Sequence, residues 1–243
     1  MYDFKTFAQM NLDLIFKGFD RLPQPGGEVF AKSFTLQLGG GPIVCPIVLE
    51  QLGCRVRLGT FMGKDDVSSI CRRLLAERNF SSYDEFVTPN PDPVVVTSVF
   101  SWDHDRGFLS HNEGVYESDL DGETVYGFLR DARVVFAPVG HPEVTRRLHR
   151  EGVKVVYDSG WSDDLSIDGI KAFLPDIDVY TPNDREAMKL AGTGDLEEAV
   201  RFLARYTPHP VVTLGKGGCA YWEDGAIHYA PAVEEFRAAD TTG

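Results

Sequence analysis

The sequence reads as an α/β protein, a doubly wound and mostly parallel sheet flanked by helices, with a small β-sheet lid. Three observations carry that reading. From about residue 119 onward, strand-like and helix-like runs alternate regularly, which is the rhythm of a parallel sheet with helical crossovers. Residues 94–102 and 107–111 form a hairpin around the turn Asp103-His104-Asp105-Arg106. Residues 29–38 carry a partly alternating apolar pattern (Val29, Phe34, Leu36, Leu38), as expected of a strand with one exposed face. These last three strands stand outside the alternation and are assigned to the lid.

The first strand is expected over residues 5–10, delivering Asn11 and Asp13 at its carboxyl end, where open α/β sheets bind ligands. Asn and Asp after a strand also serve as turn formers, so the residues alone leave both readings open. Pro23, Pro25, Gly26 and Gly27 mark a loop. Gly39-Gly40-Gly41-Pro42 then precedes an apolar helix over 43–52, closed by Gly53. Glycines before a helix let backbone amides approach a ligand, although a plain flexible loop reads the same way.

A strand over 55–62 follows, then Gly63-Lys64-Asp65-Asp66 and a helix over 67–79 with Val67, Ile70, Leu74 and Leu75 on one face. Asp65 and Asp66 suit helix N-caps. Further strands are expected over 133–137, 153–158, 178–181 and 211–214, with helices over 142–150 and 196–206. A closing hairpin over 220–222 and 227–230 turns at Glu223-Asp224-Gly225.

Composition bounds the function. The 243 residues suit one domain spanning 1–243, and 43% hydrophobic content suffices for a core. With 37 acidic against 24 basic residues, the net charge is −13, which disfavours nucleic acid or an anionic membrane as partner. No apolar run nears the roughly 20 residues of a membrane span, and the N-terminus lacks the pattern of a signal peptide. A cytoplasmic protein is expected. Cys45, Cys54, Cys71 and Cys219 have no metal-ligand spacing and read as reduced thiols.

Polar groups recur at successive strand ends: Asp158-Ser159-Gly160, Asn183-Asp184-Arg185-Glu186, Thr213-Leu214-Gly215-Lys216-Gly217-Gly218 and Asp240-Thr241-Thr242-Gly243. Such convergence suits phosphoryl transfer, which needs positioned amides, a metal and an oriented nucleophile. Taken alone, Asn183 and Glu186 read foremost as an N-cap and a first-turn acid.

These motifs, together with Asn11 and Asp13, Gly39-Gly40 and Gly63-Lys64-Asp65, resemble the PfkB (ribokinase-like) family of carbohydrate and nucleoside kinases over residues 5–243. The resemblance implies a ribokinase-like fold and, for each matching position, a role. Asp13 would accept hydrogen bonds from sugar hydroxyls, with Asn11, Gly39 and Gly40 shaping the pocket. Asn183 and Glu186 match the Asn-x-x-Glu motif that organises Mg²⁺, its waters and the nucleotide phosphates. Thr213, Gly215 and Gly218 would border the ATP site, joined by Thr242 and Gly243. Asp240 and Thr242 match positions that hold a monovalent cation such as K⁺. The family's catalytic base is the Asp of an Ala-Gly-Asp continuation, expected just beyond Gly243, so the C-terminal part of the family domain is expected to lie outside this chain.

Three departures bear on substrate choice. Val44 stands where the family carries a sugar-contacting Asn, and an apolar side chain cannot replace an amide's donor and acceptor. Gly41-Pro42 resembles the fructokinase-like and nucleoside-kinase-like loops. Asp158-Ser159-Gly160-Trp161 keeps the family's aspartate but lacks its asparagine two residues on. The expected activity is ATP- and Mg²⁺-dependent phosphorylation of a hydroxyl, foremost a hydroxymethyl group, of a small sugar or polyol. The alternatives are a nucleoside kinase of the same family and a non-catalytic sugar- or nucleotide-binding protein. A dehydrogenase is disfavoured, because no G-x-G-x-x-G opens a helix after the first strand. Lids of the family often mediate dimers, so a homodimer through the lid is an expected partner arrangement.

Overall fold

The computed structural model describes residues 1–101, 106–112, 119–138 and 140–233, and these divide into two compact units, Tyr2–Asp121 and Gly122 onward. In the first unit, β1 (Tyr2–Phe7), β4 (Val56–Phe61) and β5 (Tyr83–Phe86) pair in parallel, with Phe4 opposite Val56 and Leu58 opposite Tyr83. Phe7 centres this core, its ring 5.4 Å from Phe61 and 4.7 Å from Phe86. Apolar runs of this kind suit strands buried on both faces. Helix α1 (Gly41–Gln51) packs on β1 and β4.

The lid strands form a separate four-stranded sheet in the order β3-β2-β6-β7. It contains β3 (Ser33–Leu38), β6 (Val95–Ser101) and β7 (Arg106–His111), which are the three strands expected, although β3 begins later in the chain than its apolar pattern suggests. Its centre is a strand that sequence patterning missed, β2 (Asn11–Lys17). Asn11 and Asp13 therefore lie inside a lid strand, not in a turn at the end of the first core strand. β2 runs antiparallel to β3 and parallel to β6, and β6 pairs antiparallel with β7. The registers place Gln37, Asp13, Thr97 and Ser110 in one row across all four strands. Residues 103–105 of the expected hairpin turn lie outside the described chain. Helix α2 (Asp66–Glu77) packs against β2 and β3, burying Cys71, Leu74 and Leu75.

In the second unit, α3 (Gly122–Leu129) leads into β8 (Ala132–Phe136), α4 (Pro142–Arg150) and β9 (Lys154–Tyr157). A short α5 (Ile167–Ile170) is followed by β10 (Val179–Tyr180), α6 (Asp184–Ala191), α7 (Leu196–Leu203) and β11 (His209–Thr213). β12 (Cys219–Glu223) and β13 (Ala226–Ala230) close the unit. Strands β8 to β11 are mutually parallel, while β11, β12 and β13 alternate in direction. The β12–β13 turn uses Asp224 and Gly225, both at positive φ, as the Asp-Gly pair demands. Pro142 fills the first turn of α4, and Val144 and Leu148 bury one face of it. Helix α7, capped by Asp195, packs against α6 and the antiparallel strands. No described helix is long and apolar enough to cross a membrane.

Candidate functional site

The candidate residues fall into two groups, one in each unit. In the first unit, Asp13 is buried at 4% exposure in the middle of β2. Isolated burial of a carboxylate is costly, and hydrogen bonding offsets the cost. Asn11 Nδ2 donates to Asp13 Oδ1 at 3.0 Å, and Thr97 Oγ1 donates to Asn11 Oδ1 at 3.2 Å. The Gly39 amide donates to the Asn11 carbonyl at 3.0 Å, continuing the β2–β3 ladder into the glycine run. A Cβ on Gly39 would stand 2.6 Å from Asp13 Oδ1 and 2.5 Å from its Cγ, so the carboxylate lies where any side chain at 39 would go. Gly40 follows at φ 84, a left-handed conformation that glycine adopts without strain, and it precedes α1 as N-cap. The structure thus brings Asn11, Asp13, Gly39 and Gly40 together. Val44 lies half-buried in the first turn of α1, its amide donating to the Gly40 carbonyl at 3.0 Å.

Gly63-Lys64-Asp65 is a structural knot of the kind an N-cap builds. Asp65 accepts from the Ser68 amide at 2.7 Å and from its hydroxyl at 2.5 Å, while Ser68 Oγ accepts from the Gly63 amide at 2.8 Å. Arg72 ties the knot to β5, donating to the Gly63 carbonyl and pairing with Glu85 at 2.6 Å.

In the second unit, the carboxyl ends of three parallel strands lie side by side. The Thr181 amide donates to the Tyr157 carbonyl, the Thr213 amide donates to the Pro182 carbonyl, and Asn183 forms a parallel bridge with Thr213. Asn183 and Glu186 make a reciprocal capping box on α6. Asn183 Oδ1 accepts from the Glu186 amide at 2.9 Å, and Glu186 Oε2 accepts from the Asn183 amide at 2.8 Å. The capping role is therefore real. It occupies one oxygen of each side chain, and neither Asn183 Nδ2 nor Glu186 Oε1 has a hydrogen bond among the described residues.

Burial pushes the Glu186 carboxyl above its ordinary range, opposed by the Asn183 amide and reinforced by the nearby negative charge of Asp158. Asp158 is also pushed up by its dense surroundings, although its carboxyl still meets solvent and the Gly160 amide donates to it at 2.9 Å. The negative charge of Asp158 raises the proton affinity of Glu186, and a cation beside the two would relieve that repulsion. No cluster of three or more His, Cys, Asp or Glu able to hold a metal is present among the described residues. An ion here would need water or ligand oxygens to complete its shell, a coordination that suits Mg²⁺.

Two residues beside this group were not legible as site residues from spacing. Tyr180, at the end of β10, shares a 2.7 Å hydrogen bond with Ser159 and stacks on Tyr157 with centroids 5.4 Å apart. Lys189 of α6 holds the loop after Asp158, donating to the carbonyls of Ser162 at 2.9 Å and Asp163 at 2.7 Å and lying 4.7 Å from the Trp161 ring. Only long-range packing reveals either. Past β11, the Leu214 amide donates to the Gly218 carbonyl at 2.8 Å, folding Gly215–Gly217 into a single 3₁₀ turn. Gly218 sits at φ 87, where a Cβ would come 2.7 Å from the Ala232 amide nitrogen. Thr213 and Gly215 are exposed beside this turn. Asp240, Thr242 and Gly243 lie outside the described residues.

No curated protein sequence matches the chain. Residues 142–243 match the family described as pfkB family carbohydrate kinase. Among solved structures, an Arabidopsis thaliana ribokinase complexed with ribose and ATP is similar at 21% identity and TM-score 0.77, over 100% of this chain and 81% of that one. An adenosine kinase from Sinorhizobium meliloti is similar at 18% identity and TM-score 0.75, over 100% and 83%. A ribokinase from Giardia lamblia follows at 16% identity and TM-score 0.76, over 98% and 77%. At these identities the structural likenesses speak to fold, and that fold is ribokinase-like: α/β with a mostly parallel sheet, flanking helices and a small second sheet. The match to the pfkB family model thus spans residues 142–243, on a fold shared with ribokinase-like proteins.

Proposed function

We propose that the protein is an ATP- and Mg²⁺-dependent kinase that phosphorylates an alcohol, foremost a hydroxymethyl group, of a small sugar or related polyol. The observation that carries this reading is Asp13, a buried carboxylate oriented by Asn11 and set against the bare backbone of Gly39. A carboxylate accepts and never donates when ionised, so it suits a ligand rich in hydroxyls. Asn11, Gly39 and Gly40 would complete that subsite. Asn183, Thr213, Gly215 and Gly218, with Thr242 and Gly243, would border the nucleotide. Glu186 would hold Mg²⁺ through water using the oxygen its cap leaves over, and Asp240 with Thr242 would hold a monovalent cation such as K⁺. Bound Mg²⁺ would neutralise charge developing on the transferred phosphoryl group.

In this reading a substrate hydroxyl attacks the γ-phosphate in line and yields its proton to the aspartate that the family pattern places after Gly243. General-base assistance of this kind contributes about 10²–10⁴-fold. A nucleoside acceptor is the second reading, supported by Gly41-Pro42, which resembles the nucleoside-kinase-like loop, and by the similarity to an adenosine kinase. Full-length protein assayed with ATP, Mg²⁺ and a panel of sugars, polyols and nucleosides tests both readings. ADP release with one acceptor class decides between them, and no release with any would leave the binding-protein alternative. The exposed Phe34, Phe108 and Leu109 of the lid support a homodimer through that sheet. Sedimentation of the full-length protein as a monomer alone would end that assignment.

A further inference from the structure

We infer that Thr97 and Ser110 form a one-way hydrogen-bond relay that orients Asn11 and, through it, Asp13, making Thr97 a positioning residue for substrate hydroxyls. This rests on the reading of Asp13 as the substrate-binding carboxylate.

Donor and acceptor chemistry fixes every direction in the relay. Ionised Asp13 only accepts, so the Asn11 atom facing its Oδ1 at 3.0 Å must be the NH₂ group. That places Asn11 Oδ1 toward Thr97, 3.2 Å away, and a carbonyl oxygen only accepts, so the Thr97 hydroxyl proton is committed to it. The Thr97 oxygen is then the acceptor of its 3.0 Å contact with Ser110 Oγ, and Ser110 donates. The chain runs Ser110 to Thr97 to Asn11 to Asp13 with no step that can reverse while Asp13 is charged. Strand register builds it: Asp13 is opposite Thr97 across the parallel β2–β6 pair, and Thr97 is opposite Ser110 across β6–β7.

Burial decides which link matters. Thr97 is 5% exposed and Asp13 4%, whereas Ser110 lies at the surface, where water can replace its donor. With Asn11 Oδ1 turned toward Thr97 and one N–H given to Asp13, the amide offers a ligand its remaining N–H. Next to an accepting carboxylate, that arrangement selects a group that both donates and accepts, which is an alcohol, over a carbonyl or ether, which only accepts.

The test uses full-length protein and two readouts. On the unliganded protein, the ¹⁵NH₂ resonance of Asn11, identified by its loss in Asn11→Asp, should shift and exchange faster with solvent in Thr97→Val and recover in Thr97→Ser. In steady-state assays, Thr97→Val should raise the acceptor KM about tenfold with kcat within about twofold, and Thr97→Ser should restore it. An unmoved Asn11 resonance in Thr97→Val overturns the relay. A moved resonance with an unchanged acceptor KM overturns the positioning role. If wild-type protein phosphorylates no acceptor, the kinase reading fails on its own, and the Asn11 resonance still decides whether the relay exists.

Discussion

Gly39 and Asp13 occupy a shared volume: the carboxylate fills the space that a Cβ on Gly39 would need, with Asp13 Oδ1 2.6 Å from that position. The absence of a side chain at 39 is thus a condition for the carboxylate's placement, and the two residues are expected to couple energetically. Gly39→Ala should destabilise the protein by about 1–3 kcal/mol, the usual cost of overpacking. In an Asp13→Ala background, where the carboxylate is gone, the same change should cost little. Urea unfolding of the four proteins in the cycle measures this, and additive costs would contradict the shared volume.

Function should follow the same contact. Asp13→Asn keeps the shape but replaces an acceptor-only group with one that also donates. Losing a charge-assisted hydrogen bond of about 1.5–3 kcal/mol should raise the acceptor KM by roughly 10–100-fold and leave the ATP KM nearly unchanged. Equal effects on both constants would remove Asp13 from the acceptor subsite.

The legibility of these features in the sequence was uneven, for physical reasons. Helix α4 was readable to its ends, because Pro142 and the Val144/Leu148 face are local signals. Asn183 was likewise legible as the N-cap of α6, while the reciprocal bond from Glu186 appears only in the structure. Strand β2 was missed because Leu12 and Ile15 are buried on opposite faces and Asp13 is buried with them, so no clean alternation survives. Asn11-x-Asp13 then read as turn chemistry. Thr97 and Ser110 carried no signal at all, because their place beside Asn11 follows from a parallel pairing between residues 86 positions apart.

Glu186 serves as both cap and candidate metal group, and two substitutions separate those roles. Glu186→Gln keeps a side-chain oxygen for the Asn183 amide and removes the charge. Stability should not fall, while kcat drops and the Mg²⁺ requirement rises. Glu186→Ala removes the reciprocal bond and should also cost about 1 kcal/mol of stability. Thermal unfolding beside Mg²⁺-dependent kinetics checks both. Unchanged Mg²⁺ dependence in Glu186→Gln would leave Glu186 with the cap alone.

The same carboxyl predicts a pH signature. Its folded-state value is raised, chiefly by burial, above an unfolded value near 4.5. Its contribution to stability is therefore fully present below about pH 4.5 and is lost as pH rises through the folded value. Relative to wild type, Glu186→Gln should gain Tm as pH rises above that point and then level off. Mg²⁺ should narrow the gap by screening the wild-type charge. A Tm difference that stays flat with pH would show that burial does not penalise this carboxylate.

Gly218 provides the most demanding backbone test. Its φ of 87 is disfavoured for any other residue, and the atoms a Cβ would meet, including Ala232 N at 2.7 Å, belong to backbone that cannot rotate away. Gly218→Ala should therefore cost at least the roughly 1–3 kcal/mol of such a conformation, with the clash added. The strain falls on the turn from Leu214 to Gly218 and on the chain just after β13, so the damage should concentrate there. Hydrogen exchange should show faster amides at Leu214 and in β12–β13 than in β8 and β9. If these residues border the nucleotide, the ATP KM should rise more than the acceptor KM. A variant with wild-type exchange in β12–β13 would show that the chain after β13 can shift to admit a methyl group.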